Sequence, residues 1–386
     1  MVRGFKYRCY PTKAQEQQLA KTFGAVRFVY NWALEQRTKA WYEKQERISY
    51  NKTSAMLTEL KQQPDTAWLY DAVSVPQQQA LRHLQTAFVN FWEKRAKYPS
   101  FKKKHGRQSA EFTSSAFQWD EHDLRIAKIG KLKIKWSRRF KGRPTNVTVS
   151  KARSGRYYVS FTVDDPLPKQ PKTRKSVGID LGLTSFVTLS TGEKIQAPKP
   201  LKANLAKLKR RQQSLSRKML GSNNRAKARI AVAKIYEKVA FIRLDFLHKL
   251  STRLIRENQT IVIEDLNIRG MSKNHCLARS ISDVSWAEFT RQLAYKCAWY
   301  GRTLVKIDRF YPSTKRCYDC GYVLDKLPLD QRSWTCPSCH IIHDRDNNAA
   351  KNILAAGQAV IACGDGVRPA KNPLGSRLAA ICEAGT

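Results

Sequence analysis

Three acidic residues stand where a chain can assemble a phosphodiester-cutting centre. Asp180 closes the run Val177-Gly178-Ile179-Asp180, with Leu181-Gly182 after it. Glu264 closes Ile261-Val262-Ile263-Glu264, and Asp346 opens Asp346-Asn347-Asn348-Ala349-Ala350 just beyond a four-cysteine module. Two carboxylates at the ends of apolar strands, with a third at the start of a helix, supply hard oxygen ligands for two divalent cations. Such a pair clamps the attacking and leaving oxygens of a phosphodiester. Singly, each residue has a blander explanation. An acid after three apolar residues is commonly a strand-end or turn residue, and Asp346 could be an ordinary helix cap, with Asp344 competing for its role. Asp265, beside Glu264, points the other way on a strand and is expected to form a salt bridge.

The second chemical constellation is Cys317-x2-Cys320 and Cys336-x2-Cys339, separated by fifteen residues. This is the spacing of two knuckles that deliver four thiolates tetrahedrally to one zinc ion. Four thiolates leave no open position, so the expected role is structural. His340 and His343 are near enough to compete as ligands. The other five of the nine cysteines are scattered, which suits a reducing cytosol and a metal, not a disulfide framework.

Lys plus Arg number 71 against 31 acids, a formal charge of +40 over 386 residues. A polyanionic partner explains that imbalance, and nucleic acid is the best candidate because the basic residues run through every segment. A solvated basic surface, as in a ribosomal protein, is the blander reading. Apolar content of 42% with 10% aromatics supports real cores and excludes a disordered polycation. No signal-peptide core and no run of about 20 apolar residues occurs, so no membrane partner is expected.

The elements that must position these groups change period along the chain. Residues 3–10 read as a strand ended by Pro11, with Thr12 placed to cap the next helix. From about 13 to 95 the signal is helical: Leu81, Leu84, Phe88 and Phe91 fall three and four apart. Residues 94–107 are a basic connector. Over 110–165, Leu132, Ile134 and Trp136, then Val159, Phe161 and Val163, alternate with polar residues, predicting half-buried strands of a small barrel or twisted sheet. After the Pro-Lys-rich stretch 166–175 come three strands over 176–197 and two helices over 200–257 broken near Gly221. Leu201, Leu205, Leu208 and Leu215 mark the apolar stripe of the first helix, and Lys209, Arg210 and Arg211 crowd its other faces. A strand at 260–266, a helix near 284–300 and a strand at 303–308 complete the alternation.

The runs Gly178-Ile179-Asp180-Leu181-Gly182, Ile263-Glu264-Asp265-Leu266 and Asp344-Arg345-Asp346-Asn347-Asn348-Ala349-Ala350 resemble the RuvC-like nuclease of the TnpB proteins of insertion sequences. TnpB proteins look like compact relatives of type V CRISPR effectors. Tyr311-Pro312-Ser313-Thr314-Lys315-x-Cys317, Arg27-x-x-Tyr30-Asn31-Trp32 and Tyr98-Pro99-Ser100-Phe101-Lys102-Lys103-Lys104 also match. The resemblance runs from residue 1 to about 357; Thr314 and Tyr318 depart from it, standing where smaller serines are expected.

The resemblance implies a multidomain α/β protein. A β-barrel wedge would comprise 1–11 and 106–170, with a helical recognition insertion over 12–105. An RNase H-like (RuvC) nuclease domain would comprise 174–310 and 342–358, with an inserted zinc ribbon over 311–341 that binds target nucleic acid, and a disordered tail over 359–386. It implies an RNA-guided DNA endonuclease in which Asp180, Glu264 and Asp346 bind two magnesium ions, with manganese a substitute, and Cys317, Cys320, Cys336 and Cys339 bind one structural zinc. The partners would be a guide RNA from the transposon end and a double-stranded DNA target with its displaced single strand. A cytoplasmic, nucleoid-associated monomer is expected. Tyr50, Ser74, Gln77 and Gln78 are amide and hydroxyl groups near helix ends that could read base edges beside the target, or simply form an ordinary solvated helix face. Lys102, Lys103, Lys104, Lys209, Arg210 and Arg211 would contact phosphates. The competing readings are a guide-dependent repressor that no longer cuts, a DNA-transposing enzyme, and an RNA-binding zinc protein, which leaves the carboxylates idle.

Overall fold

The computed structural model describes residues 1–362 except 122, 168, 169 and 329, together with the backbone of 383–384. It divides into two compact units, one built on Met1–Pro166 and taking in Gly221–Lys234 and Leu378–Thr386, the other on Leu167–Leu220 and Ile235–Arg377.

In the first unit, strand Val2–Tyr10 buries Phe5, Tyr7 and Cys9 on one face, as its alternation predicts. It pairs antiparallel with Tyr157–Asp164, which pairs in turn with Pro144–Lys151 and then Gln108–Thr113. Strand Lys133–Lys135 joins the other edge of Val2–Tyr10. Among the described residues this ladder stays open and is not closed into a barrel. Aromatic rings pack together against it: Tyr7, Trp119, Trp136, Phe140 and Phe161 meet with centroid separations of 4.8–6.3 Å.

Three helical segments, Lys13–Lys44, Tyr50–Gln62 and Ser74–Trp92, share the same apolar core. Thr12 and Gln15 form a reciprocal capping box at the start of the first. Asn31 pins the basic connector by exchanging hydrogen bonds with the Lys102 backbone, 2.7 and 3.0 Å.

The second unit is a mixed five-stranded sheet in the order Lys194–Ile195, Val187–Leu189, Ser176–Leu181, Thr260–Glu264, Thr303–Ile307. The last three strands are parallel. Parallel strands are covered on both faces, which is why they read as unbroken apolar runs. Ile261 and Ile263 pack with Leu247, Leu250, Leu254, Phe289 and Leu293. Val262 faces the other way, with Val305, Ile307 and Ile353.

Helix Arg345–Ala362 lies against that second face at van der Waals range, and two glycines make the approach possible. A Cβ on Gly178 would fall 2.2 Å from the Ala350 carbonyl oxygen, and one on Gly357 would fall 2.3 Å from Val262 Cγ1. Gly178→Ala is therefore expected to lift the helix bearing Asp346 off the sheet. It should lower the melting temperature by several degrees, the overpacking cost being about 1–3 kcal/mol. An unchanged thermal melt would contradict this packing.

Two expectations need correction. The stripe of helix Pro200–Ser216 is narrower than its leucines suggest, since only Leu208 among them is buried and Leu205 is 39% exposed. The segment expected as a disordered tail begins inside a helix, which runs on to Ala362; Glu383–Ala384 pairs with Val2–Tyr10, and the rest of the tail lies outside the described residues. No helix of the described residues is long and apolar enough to cross a membrane.

Candidate functional site

Asp180 and Glu264 are held at equivalent points of neighbouring parallel strands. The register pairs Ile263 with Ile179, so each carboxylate is the next residue along at the C-terminal end of its strand. Ligand sites of open α/β sheets gather at that edge. Asp346 enters from the first turn of helix Arg345–Ala362. All three residues are half-buried.

Burial, reinforced by the negative charges of Glu264 and Asp346, pushes the Asp180 carboxyl up to about 7, against smaller opposing effects of Arg345 and Arg332. Burial also raises Glu264, partly offset by the Ser313 hydroxyl that donates to its Oε1 at 2.5 Å. Arg332 approaches Asp346 at 3.6 Å. The acids thus repel one another across one site, and a divalent cation would relieve that repulsion; hard oxygen donors of this kind fit magnesium. They stand wider than a single-ion cluster: among the described residues, the groups whose ligand atoms all lie within 4.8 Å involve the cysteines and not these carboxylates.

Asp344 and Asp346 differ in their partners. Asp344 accepts the Asn347 backbone N–H at 2.9 Å and pairs with Lys194 at 2.7 Å, so it caps the helix and its carboxyl is held below the usual range. Asp265 points away and pairs with Lys306 and Arg309 at 3.1 and 3.2 Å.

A titration is expected from the Asp180 geometry. A carboxyl with a raised folded pKa holds its proton more tightly folded than unfolded, so its ionisation destabilises the fold as pH rises from the ordinary carboxylate range to about 7. In chelator, the melting temperature of Asp180→Asn should exceed that of the unaltered protein by a margin that grows between pH 5.5 and 7.5. The upper bound is about 1.4 kcal/mol per pH unit. A margin that shrinks with pH over this window would refute the coupling.

The four cysteines come together with no disulfide between them. Cys317 Sγ lies 3.6 Å from Cys339 Sγ, and Cys320 Sγ lies 3.6 Å from Cys336 Sγ. A tetrahedron of Zn–S bonds of about 2.3 Å has edges of about 3.8 Å, so the donor set fits zinc. His343 is also brought in, with Nε2 3.1 Å from Cys317 Sγ and 3.8 Å from Asp319, whereas His340 is exposed.

The module is tied to the carboxylates by two buried asparagines one helical turn apart. Asn348 accepts the Tyr318 N–H and donates to the Arg316 carbonyl, at 3.0 and 2.8 Å. Asn352 donates to the Ser313 carbonyl at 2.8 Å and to that of Arg316 at 2.6 Å. In the sequence Ser313 and Asn348 stand only as letters within motifs, and Asn352 and Arg332 lie outside them. The offset of four between Asn348 and Asn352 on one helix was the available signal.

Of the residues expected to meet nucleic acid, Ser74, Gln78, Lys103, Lys104, Lys209, Arg210 and Arg211 are exposed. Tyr50 is half-buried under Arg82. Lys102 is exposed, yet its ammonium sits 3.8 Å from the Tyr30 ring centroid and burial pulls it down to about 8. Gln77 is the exception. It is fully buried and its amide donates to the Leu69 and Val73 carbonyls, at 2.8 and 3.3 Å, so it has no surface to offer a base.

Three family descriptions match the chain: "Probable transposase" over residues 156–275, "Cas12f1-like, TNB domain" over 286–353 and "Helix-turn-helix domain" over 1–46. The last span is, in the structure, one strand and one long helix. A Streptomyces pristinaespiralis protein named "Putative RNA-guided DNA endonuclease" is 56% identical over 95% of this chain and 92% of its own length. The Escherichia coli K12 protein "Putative RNA-guided DNA endonuclease InsQ" is 35% identical over 95% of each chain. In fold, the chain resembles the protein of a cryo-EM Cas12f1–sgRNA–target DNA complex, with a TM-score of 0.55 at 13% identity over 92% of this chain and 98% of that one. The extent and identity of these matches place the chain in the TnpB family of insertion-sequence proteins.

Proposed function

We propose that this chain is an RNA-guided DNA endonuclease of a transposable element, cutting DNA beside a short target-adjacent motif by two-metal phosphodiester hydrolysis. One observation carries the reading: three carboxylates from two parallel strand ends and a helix start meet electrostatically around Asp180. Asp180, Glu264 and Asp346 would hold two magnesium ions, which when bound activate water and stabilise the leaving oxygen. Asp180, which senses both other acids, would belong to that ligand set. Ser313 fixes the rotamer of Glu264 through its hydroxyl. Arg332, near Asp346, offers a cation to the phosphate or its displaced strand.

The thiolates of Cys317, Cys320, Cys336 and Cys339 would hold one zinc that shapes the loop between the carboxylates. The net charge of +40 fits a guide RNA and a DNA target. Base pairing would read the target sequence, leaving the protein to read duplex shape and the short motif. On this reading 12–105 is the recognition insertion, 1–11 with 106–170 the wedge, and 311–341 the target-binding ribbon.

The test is to express the chain with its native locus, sequence the RNA that copurifies, and offer DNA matched to it. Cleavage should require magnesium or manganese and vanish in chelator. Target binding with no cleavage in either ion would instead support the guide-dependent repressor. Cleavage that persists in chelator would refute the metal mechanism.

A further inference from the structure

The first unit holds a cavity of about 250 Å³ between helix Lys13–Lys44, the loop after it and helix Ser74–Trp92. Its size suits one flat group. Its walls are aromatic. Trp41 and Trp92 are 39% and 46% exposed, a large amount for such rings beside a core. Phe88 stacks on Trp92 at 5.6 Å, and Tyr98 meets Phe88 edge-on at 5.6 Å. The Arg47 guanidinium lies 5.4 Å from the Trp41 ring and 5.9 Å from that of Trp92.

The nearly buried wall is Arg37, 7% exposed, with its guanidinium 4.3 Å from the Phe88 ring. Its hydrogen bond among the described residues runs to Gln85 Oε1, at 2.9 Å. A guanidinium has five N–H donors, so a cation withdrawn from solvent keeps spare donors beside an open aromatic cavity. Glu46, the acid of the wall, is already paired with Lys52. Exposed Lys44, Lys94 and Lys97 adjoin the wall in the chain and suit a phosphate backbone.

We infer that this cavity receives one unpaired guanine base of a bound nucleic acid, stacked on Trp41 or Trp92, with Arg37 donating to its O6 and N7. The inference rests on the nucleic-acid reading above. Aromatic faces stack on any base, while the guanidinium fork matches the acceptor pair of guanine. A base within a duplex is stacked and unavailable, so the ligand is a splayed or single-stranded position.

Photocrosslinking of the full-length complex tests it. Guide RNA of the sequence found by copurification is transcribed with 6-thioguanosine or, separately, with 4-thiouridine. A parallel arm carries 6-thiodeoxyguanosine in the matched DNA on unmodified guide. After irradiation and trypsin digestion, a thioguanine adduct is expected on peptide 40–44 or 83–94, which contain Trp41 and Trp92. The arm that gives it identifies RNA or DNA as the source. Adducts confined to other peptides would overturn the inference and leave the nucleic-acid reading intact. No adduct on any peptide would overturn both, and adducts here from thiouridine alone would overturn the guanine assignment.

Trp92→Ala should weaken binding of the crosslinked strand by roughly five- to a hundredfold, and Trp92→Phe should restore it. Equal losses in both variants, with unchanged melting curves, would also overturn the inference.

Discussion

Asp180→Ala is expected to abolish cleavage of guide-matched DNA while guide and target affinities change less than about twofold. The loss should exceed about a hundredfold, because substitutions one shell further out from a metal already reach 10–100-fold. Binding is spread over many phosphates, whereas Asp180 is the point where the charges of Glu264 and Asp346 converge. Glu264→Ala and Asp346→Ala should behave alike, and double changes should be little worse, since residues acting as one unit are non-additive. Asp344→Ala is the control. It removes a helix cap worth about 0.5–2 kcal/mol and the contact to Lys194, so it should lower stability and leave most cleavage. Wild-type cutting by Asp180→Ala would defeat the nuclease reading. Loss in Asp344→Ala with retention in Asp346→Ala would reverse the assignment of that pair.

The two strand-end acids were legible because burial on both faces of a parallel sheet writes itself as Val-Gly-Ile and Ile-Val-Ile, and the acid is where the run stops. Asp346 was only half legible. Both it and Asp344 fit a helix start, and the partner by which they differ is a lysine 150 residues from Asp344, at position 194. The same limit hid Arg332 and Asn352, whose partners lie in other elements. Gln77 misled for the converse reason. It stands just after an exposed helix start and looks like a solvated amide, yet carbonyls of the preceding loop and turn draw it fully inward. Leu205 erred in the opposite sense, since a leucine at helical spacing buries only if something covers it. The glycines at 178 and 357 were visible as letters, but their meaning depends on how closely a helix approaches a sheet.

Cys336→Ser is expected to reduce cleavage by about tenfold or more although no carboxylate changes. The thiolate set is the anchor of a hairpin in which strand Ser333–Thr335 pairs with Ile342–Asp344, and that second strand runs directly into the helix bearing Asp346. From the other knuckle, Tyr318 and Arg316 are held by Asn348, and Ser313 by Asn352, while Ser313 in turn positions Glu264. Metal binding and local folding are one equilibrium in modules of this size, so removing a thiolate loosens both ends of that path. Elemental analysis should find one zinc per chain, falling in the variant, and tryptic cleavage within 317–343 should quicken before the second unit unfolds. Asn352→Ala should reproduce part of the cleavage loss with zinc fully retained, because it cuts the path beyond the metal. Cys336→Ser that sheds its zinc yet cuts at the unaltered rate would show that the ribbon does not hold Glu264 and Asp346 in register.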